Sequence, residues 1–192
     1  MKKTLLNILF STSLISTNVF ANQIMLLGEL DHRNPQHRID TKNFINQNSN
    51  NYNILALEAF ESNKQYLLDN YHLFPTKQNL TKINDYLSTR WKYYDPKSYT
   101  NLIEFTYSNN MLVVGIDEPK YLQKNETKLL PVPPEFSKTR ISREKHMAKI
   151  LCDLSLEDNI LVLIGNIHTN KKFLPLQIKK TCSKTINTKT LK

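Results

Sequence analysis

Four short aliphatic runs constrain the fold of this 192-residue chain more than any other feature of its sequence. They cover residues 23–27, 54–57, 111–116 and 160–164, and segments with helical character separate each run from the next. Runs of this length and composition are typical of strands buried on both faces of a parallel sheet. We therefore predict a single α/β domain with a mainly parallel β-sheet flanked by helices.

The predicted helices have recognisable boundaries. Asn34-Pro35 and Asp95-Pro96 each place a capping side chain before a proline, which is a common way for a helix to start. Residues 61–94 predict two helices with a break at Phe74-Pro75. In a later helix over residues 137–154, Arg143 shares a stripe with apolar residues, so it either extends to solvent or reaches a buried acidic site.

The first 21 residues predict export. Lys2 and Lys3 precede an uncharged, largely apolar stretch, and Val19-Phe20-Ala21 places small residues where signal peptidases require them. We expect cleavage after Ala21 and a mature domain of residues 22–192 in the bacterial periplasm or medium. Because the apolar stretch is short and interrupted by polar residues, a lasting membrane anchor is the weaker alternative.

The charge and the cysteines limit the possible partners. The 26 Lys and Arg residues against 17 Asp and Glu give a net charge of +9, but only the region after Lys171, ending in a basic tail from about residue 179, is markedly basic. This pattern favours a solvated basic face over a nucleic-acid site. Cys152 and Cys182 either form a disulfide in an oxidising compartment or remain two buried thiols.

Chemistry-bearing side chains follow every predicted strand. Because the carboxyl ends of parallel strands share one edge of the sheet, where such folds bind ligands, we expect these residues to converge. They are Glu29 and His32, Glu58, Asp117 and Glu118, and His168.

The acids in this group do not all invite the same interpretation. Asp117 and Glu118 fit helix capping or a surface position better than a role in a site. Glu58 directly continues an aliphatic run, so it is expected to be buried and to need a partner or ligand.

Glycine residues also lie at the carboxyl ends of predicted strands. The chain contains only Gly28, Gly115 and Gly165, and each lies at the end of a predicted parallel strand. We expect glycine there to allow a sharp turn over the sheet edge and a close approach of the backbone to a ligand.

Several motifs together resemble one superfamily. They are Gly28-Glu29-x-x-His32, Leu57-Glu58-x-Phe60, Arg143-Glu144-x-x-Met147-Ala148 and Gly165-x-x-His168. In order and spacing they are similar to the group that joins Tiki proteases, TraB, erythromycin-esterase-like enzymes and ChaN-like haem-binding proteins. The resemblance implies an α/β fold with a site built from Glu29, His32, Glu58 and His168, with Arg143 nearby. Three residues separate Gly28 from His32 where two are usual in the Tiki and ChaN-like branches, so either Asp31 or His32 faces the site.

Two functions fit these residues. As a hydrolase acting on a small molecule or peptide, the chain uses Glu29, His32, Glu58, Arg143 and His168 to activate water. Histidine then acts directly as a base, or Glu29, His32 and His168 hold Zn, Mn or Co.

As a haem- or iron-compound-binding uptake protein, the chain uses a histidine or tyrosine as axial ligand. His37, Tyr93 and Tyr94 are then candidate cofactor-binding residues beside His32. A degenerate, non-catalytic exported protein is the third alternative.

Overall fold

The computed structural model describes residues 23–48, 50–90, 95–119, 138–182 and 184–191. The predicted signal segment and the candidate ligands Tyr93 and Tyr94 lie outside these described residues. None of the helices in the described ranges combines the length and the apolar character that crossing a bilayer requires.

Five strands form one sheet in the described part of the chain. They are β1 (Gln23–Glu29), β2 (Ile54–Glu61), β3 (Leu112–Asp117), β4 (Ile160–Gly165) and β5 (Thr185–Leu191). The order across the sheet is β3-β2-β4-β1-β5, and all neighbours run parallel. The four predicted strands are confirmed, and each extends further at its carboxyl end than its aliphatic run.

Six helices connect the strands in the described ranges. They are α1 (Gln36–Asn48), α2 (Gln65–Leu73), α3 (Lys77–Arg90), α4 (Pro96–Ser108), α5 (Lys138–Leu154) and α6 (Leu174–Cys182). The predicted helix starts are confirmed, and the Asp95 side chain accepts a hydrogen bond from the Ser98 backbone N–H at 3.4 Å. The predicted break between α2 and α3 at Phe74-Pro75 is confirmed as well.

The helices pack in two layers, one on each face of the sheet. On one face, Leu27 of β1 joins a buried cluster that includes residues of α1, α2, α3 and α4. On the other face, Leu26 of β1 packs with residues of α5 and α6. Adjacent residues of β1 thus enter opposite cores, as the alternation of side chains along a strand requires.

Strand β5 was not predicted from the sequence. This edge strand pairs with β1 from Gln23 beside Thr185 to Glu29 beside Leu191, within the region described above as a basic tail. Only Ile186 and Leu191 of its seven residues are apolar, and residues 187–190 are exposed, so it lacks the aliphatic run that marks the central strands.

A disulfide joins the helices of the second layer. Cys152 of α5 and Cys182 at the end of α6 are bonded, and they lie 30 positions apart in sequence. Of the two alternatives that the sequence allows, the structure contains the bridged form.

The disulfide is expected to contribute substantially to stability. Replacing both residues, as in Cys152→Ala/Cys182→Ala, should lower the free energy of unfolding by about 3–4 kcal/mol, because a closed loop of this length restricts the unfolded chain. Chemical denaturation with and without the substitutions measures the difference. Reduced wild-type protein is the control, because it loses the bridge while keeping both side chains; an unchanged unfolding midpoint on reduction would contradict the prediction.

Candidate functional site

The first half of the candidate site is built around Glu29 at the end of β1. Its buried carboxylate accepts hydrogen bonds from Arg38 Nη1 at 2.6 Å, from the Tyr99 hydroxyl at 2.7 Å and from His32 Nδ1 at 2.8 Å. The Arg38 guanidinium also lies over the Tyr99 ring, 4.6 Å from its centroid, and donates from Nε to Ser98 Oγ. Helices α1 and α4 therefore hold the carboxylate that orients His32.

The structure distinguishes His32 from Asp31. Asp31 pairs with the exposed Arg33, whereas His32 turns inward to Glu29 and keeps 29% of its side chain exposed. Burial by itself would lower the pKa of His32, but the hydrogen bond to Glu29 and the charges of Glu58 and Glu29 outweigh that effect and raise it. His32 is therefore the residue of the Gly28 motif that belongs to the site.

The second half is built around Glu58 in β2. Its Oε2 accepts the Gly165 backbone N–H at 2.7 Å, and its Oε1 lies 3.0 Å from Arg143 Nη2 and 3.1 Å from His168 Nε2. Burial by itself would raise the pKa of Glu58. The charge and hydrogen bond of His168, together with Arg143, nevertheless hold that pKa well below its usual range. Glu58 is buried with partners, as its sequence context predicts.

His168 lies between two carboxylates. Its Nδ1 is 2.6 Å from Glu144 Oε1, and its Nε2 contacts Glu58. Burial by itself would lower the pKa of His168, but Glu58 and Glu144 raise it to about 9. A ring that donates from both nitrogens is an imidazolium at neutral pH, and in that state it neither binds a metal nor accepts a proton.

Asp117 connects the two helical layers. It accepts hydrogen bonds from Arg143 of α5 at 2.9 Å and from Arg90 of α3, which packs on the opposite face of the sheet. Arg143 thus reaches a buried acidic site, which settles the alternative left open by its sequence.

The prediction that Asp117 and Glu118 cap a helix or lie on the surface is wrong. The two residues are only 0% and 5% exposed. Asp117 is buried because two arginines neutralise it, and Ser142 Oγ donates to Glu118 Oε1 at 2.7 Å.

Glycine is required at the site because of crowding. A Cβ on Gly165 would lie 2.8 Å from His32 Nε2 and 3.4 Å from Glu58 Oε2, and one on Gly28 would lie 2.5 Å from Asn166 Oδ1. No glycine in the described residues has a positive φ. Gly28 and Gly115 lie within β1 and β3, so the expected sharp turn is wrong at these two positions. The close approach observed at Gly28 and Gly165 is to protein side chains, and the expected approach to a ligand stays a prediction. Because Gly165 has no side chain, His32 and Glu58 can both lie close to it.

The predicted metal set of Glu29, His32 and His168 is not assembled as a metal site. No group of three or more His, Cys, Asp or Glu residues in the described ranges is arranged to hold a metal ion. Glu29 already accepts hydrogen bonds from Arg38 and Tyr99. His168 is likewise paired with Glu58 and Glu144, so neither residue is available to a metal ion in this arrangement.

His37 lies apart from this network. It is 2% exposed in the first turn of α1, and its buried Nδ1 has no hydrogen-bond partner within the described part of the chain. A ligand would have to displace the surrounding side chains to contact it.

Several residues of the network were missed by the sequence analysis. They are contributed by helices and lie 9, 27 and 70 positions in sequence from the acids that they contact: Arg38, Arg90 and Tyr99. Glu144 entered only as part of a motif, although it fixes His168. The helical spacing of Arg38 with Thr41 and Ile45, which share the buried side of α1, could have indicated that Arg38 is buried.

The His168 imidazolium predicts a pH-dependent stability. Because its folded-state pKa of about 9 lies above the ordinary 6.5, its contribution is fully present below pH 6.5 and is lost as the pH rises through 9. His168→Gln should remove on the order of 3 kcal/mol of this pH-dependent stability. Denaturant unfolding at pH 6, 7.5 and 9 measures it, with the exposed His72→Gln as control. Parallel profiles for wild type and His168→Gln would contradict the assignment.

The comparisons with known proteins agree with this architecture. ChaN of Campylobacter jejuni, whose structure is described as showing cofacial haem binding, is 22% identical, with a TM-score of 0.60 over 88% of this chain and 81% of that chain. The type III effector HopBA1 is 14% identical, with a TM-score of 0.53 over 77% of this chain and 67% of that chain. These similarities are in fold.

A toxin domain shares the fold over part of its length. RRSP, an effector domain of a MARTX toxin from Vibrio vulnificus, is 14% identical, with a TM-score of 0.53 over 87% of this chain and 33% of that chain. A search of curated proteins gave no match.

The family match rests on sequence. The model described as haem-binding uptake, Tiki superfamily, ChaN matches residues 16–129, which is more than half of the chain. This protein therefore belongs to the ChaN family of the Tiki superfamily.

Proposed function

We propose that this chain binds haem as a cargo and that His32 is the iron ligand. The observation that carries the proposal is the His32–Glu29 pair: a partly exposed imidazole whose Nδ1 donates to a buried carboxylate at 2.8 Å. Family membership supports haem as the ligand. Haem supplies an iron that takes an axial imidazole, and His32 provides one at the carboxyl edge of the sheet.

Glu29 prepares His32 for this role. A proton held on Nδ1 leaves Nε2 as the basic nitrogen, and a carboxylate partner increases the basicity of a ligating imidazole. Because the pKa of His32 is raised, iron binding at Nε2 displaces a proton from the protonated fraction. Haem affinity should therefore increase as the pH rises towards that pKa.

Haem titration with absorbance detection tests the proposal. Wild type should shift the Soret band of added haemin, and His32→Ala should remove the shift and weaken binding at least about tenfold, because an axial imidazole is lost. His72→Ala, which replaces an exposed histidine of α2, is the matched control and should behave as wild type. An unchanged Soret band in His32→Ala would exclude His32 as the ligand, and no binding by wild type would overturn the function.

Hydrolysis is the second candidate, and a specific observation favours it. A histidine oriented through Nδ1 by a buried carboxylate is also how a general base is built. In that mechanism water attacks the carbonyl carbon of an ester, its proton passes to His32 Nε2, and the same proton then goes to the departing alkoxide. Arg143 lies beside Glu58 and is 13% exposed, so it contributes positive charge near the site.

An ester and peptide panel tests hydrolysis. For any substrate that wild type cleaves, His32→Ala should lower kcat/KM about 100-fold or more, since general-base catalysis contributes at least that factor. His72→Ala should retain the wild-type value. If wild type and His32→Ala cleave at equal rates, His32 is not the base.

We also propose that the protein is exported to the periplasm or the medium, with cleavage after Ala21. The Lys2-Lys3 start and the Val19-Phe20-Ala21 ending support this, and so does the Cys152–Cys182 disulfide, which an oxidising compartment maintains. Amino-terminal sequencing of the protein recovered from expressing cells should begin at Asn22. A sequence that begins at Met1 in a cytoplasmic fraction would contradict export.

A further inference from the structure

A cavity lies between α5 and α6. We call it the α5–α6 groove; its volume is about 710 Å³, and Ile141 and Glu144 of α5 and Phe173 and Leu176 at α6 are among its lining residues. This volume lies within the range of small-molecule sites. Neither proposed function uses the groove.

The floor of the groove is apolar and accessible. Ile141 is 43% exposed and Leu176 is 36% exposed, while Phe173 is half-buried with the Arg140 guanidinium 4.9 Å from its ring centroid. Apolar side chains that lie together in a concave surface favour contact with an apolar ligand body.

The rim of the groove is cationic. Arg140, Lys145, Lys172 and Lys180 line it, and the three lysines form no ion pair with any residue in the described ranges. Uncompensated positive charge beside an apolar floor attracts an anion and concentrates it at the rim.

Glu144 makes the inner end of the groove electrostatically different from its cationic rim. This acid is 1% exposed; its Oε1 is held by His168, and its buried Oε2 has no hydrogen-bond partner among the described residues. Its negative charge keeps a ligand's anionic group away from the inner end, and Oε2 can accept a hydrogen bond from a hydroxyl, an amide or water there.

We propose that the α5–α6 groove binds a small amphiphilic anion, an apolar chain or ring that carries a carboxylate or phosphate group. The apolar part contacts Ile141, Phe173 and Leu176, and the anionic group pairs with Lys172 and Lys180. A free amphiphile and a lipid headgroup share this chemistry.

Isothermal titration calorimetry of the full protein with laurate, below its micelle concentration, tests the site. The rim variant Lys172→Glu/Lys180→Glu should bind at least tenfold more weakly than wild type. Lys77→Glu/Lys82→Glu on α3 makes the same change in net charge at exposed positions and should bind as wild type does. Leu176→Gln, which changes the floor and no charge, should also weaken binding, and His32→Ala should leave it unchanged.

Vesicle sedimentation distinguishes the two sources. Binding to laurate identifies a free amphiphile. Binding to phosphatidylglycerol vesicles but not to phosphatidylcholine vesicles or laurate, again lost in the rim variant, identifies an anionic lipid. The proposal is overturned if neither probe binds, or if the rim variant and the α3 control bind equally.

Discussion

The rest of the site depends on the burial of the Glu58 carboxylate at the carboxyl edge of a parallel sheet. A buried carboxylate is tolerated only when donors surround it, and here the Gly165 N–H, Arg143 and His168 do so. Each donor is fixed in turn: Gly165 by β4, Arg143 by Asp117, and His168 by Glu144. One acid in β2 therefore determines how β4, α5 and the turn after β4 are arranged.

Charge balance explains why both site histidines have raised pKa values. Five carboxylates take part in the network: Glu29, Glu58, Glu61, Asp117 and Glu144. Among the described residues, three arginines form ion pairs with these acids: Arg38, Arg90 and Arg143. Protonated His168 supplies a fourth positive charge, and Glu29 and Glu58 also raise the pKa of His32. His168 is enclosed by this network, whereas His32 keeps 29% of its side chain exposed and is therefore the more accessible of the two histidines.

The sequence predicts the central strands because burial on both faces requires aliphatic runs. It also predicts that the side chains following these strands converge, because parallel strands end at one edge of the sheet. It misses β5, since an edge strand needs no such run. Asp117 was misassigned because an acid after a strand has the same local sequence whether it caps a helix or is buried. Its burial depends on Arg90 and Arg143, which reach it from opposite faces, and local patterns do not reveal that meeting.

The protonation state of His168 tests this account most directly. Nitrogen-15 NMR of the imidazole ring at pH 7.5 should show both ring nitrogens protonated, with deprotonation only near the raised pKa of about 9. A neutral ring at pH 7.5 that titrates at or below the ordinary histidine pKa would contradict it. In that case Glu58 and Glu144 would not be held by an imidazolium, and the network that positions the site would have to be described differently.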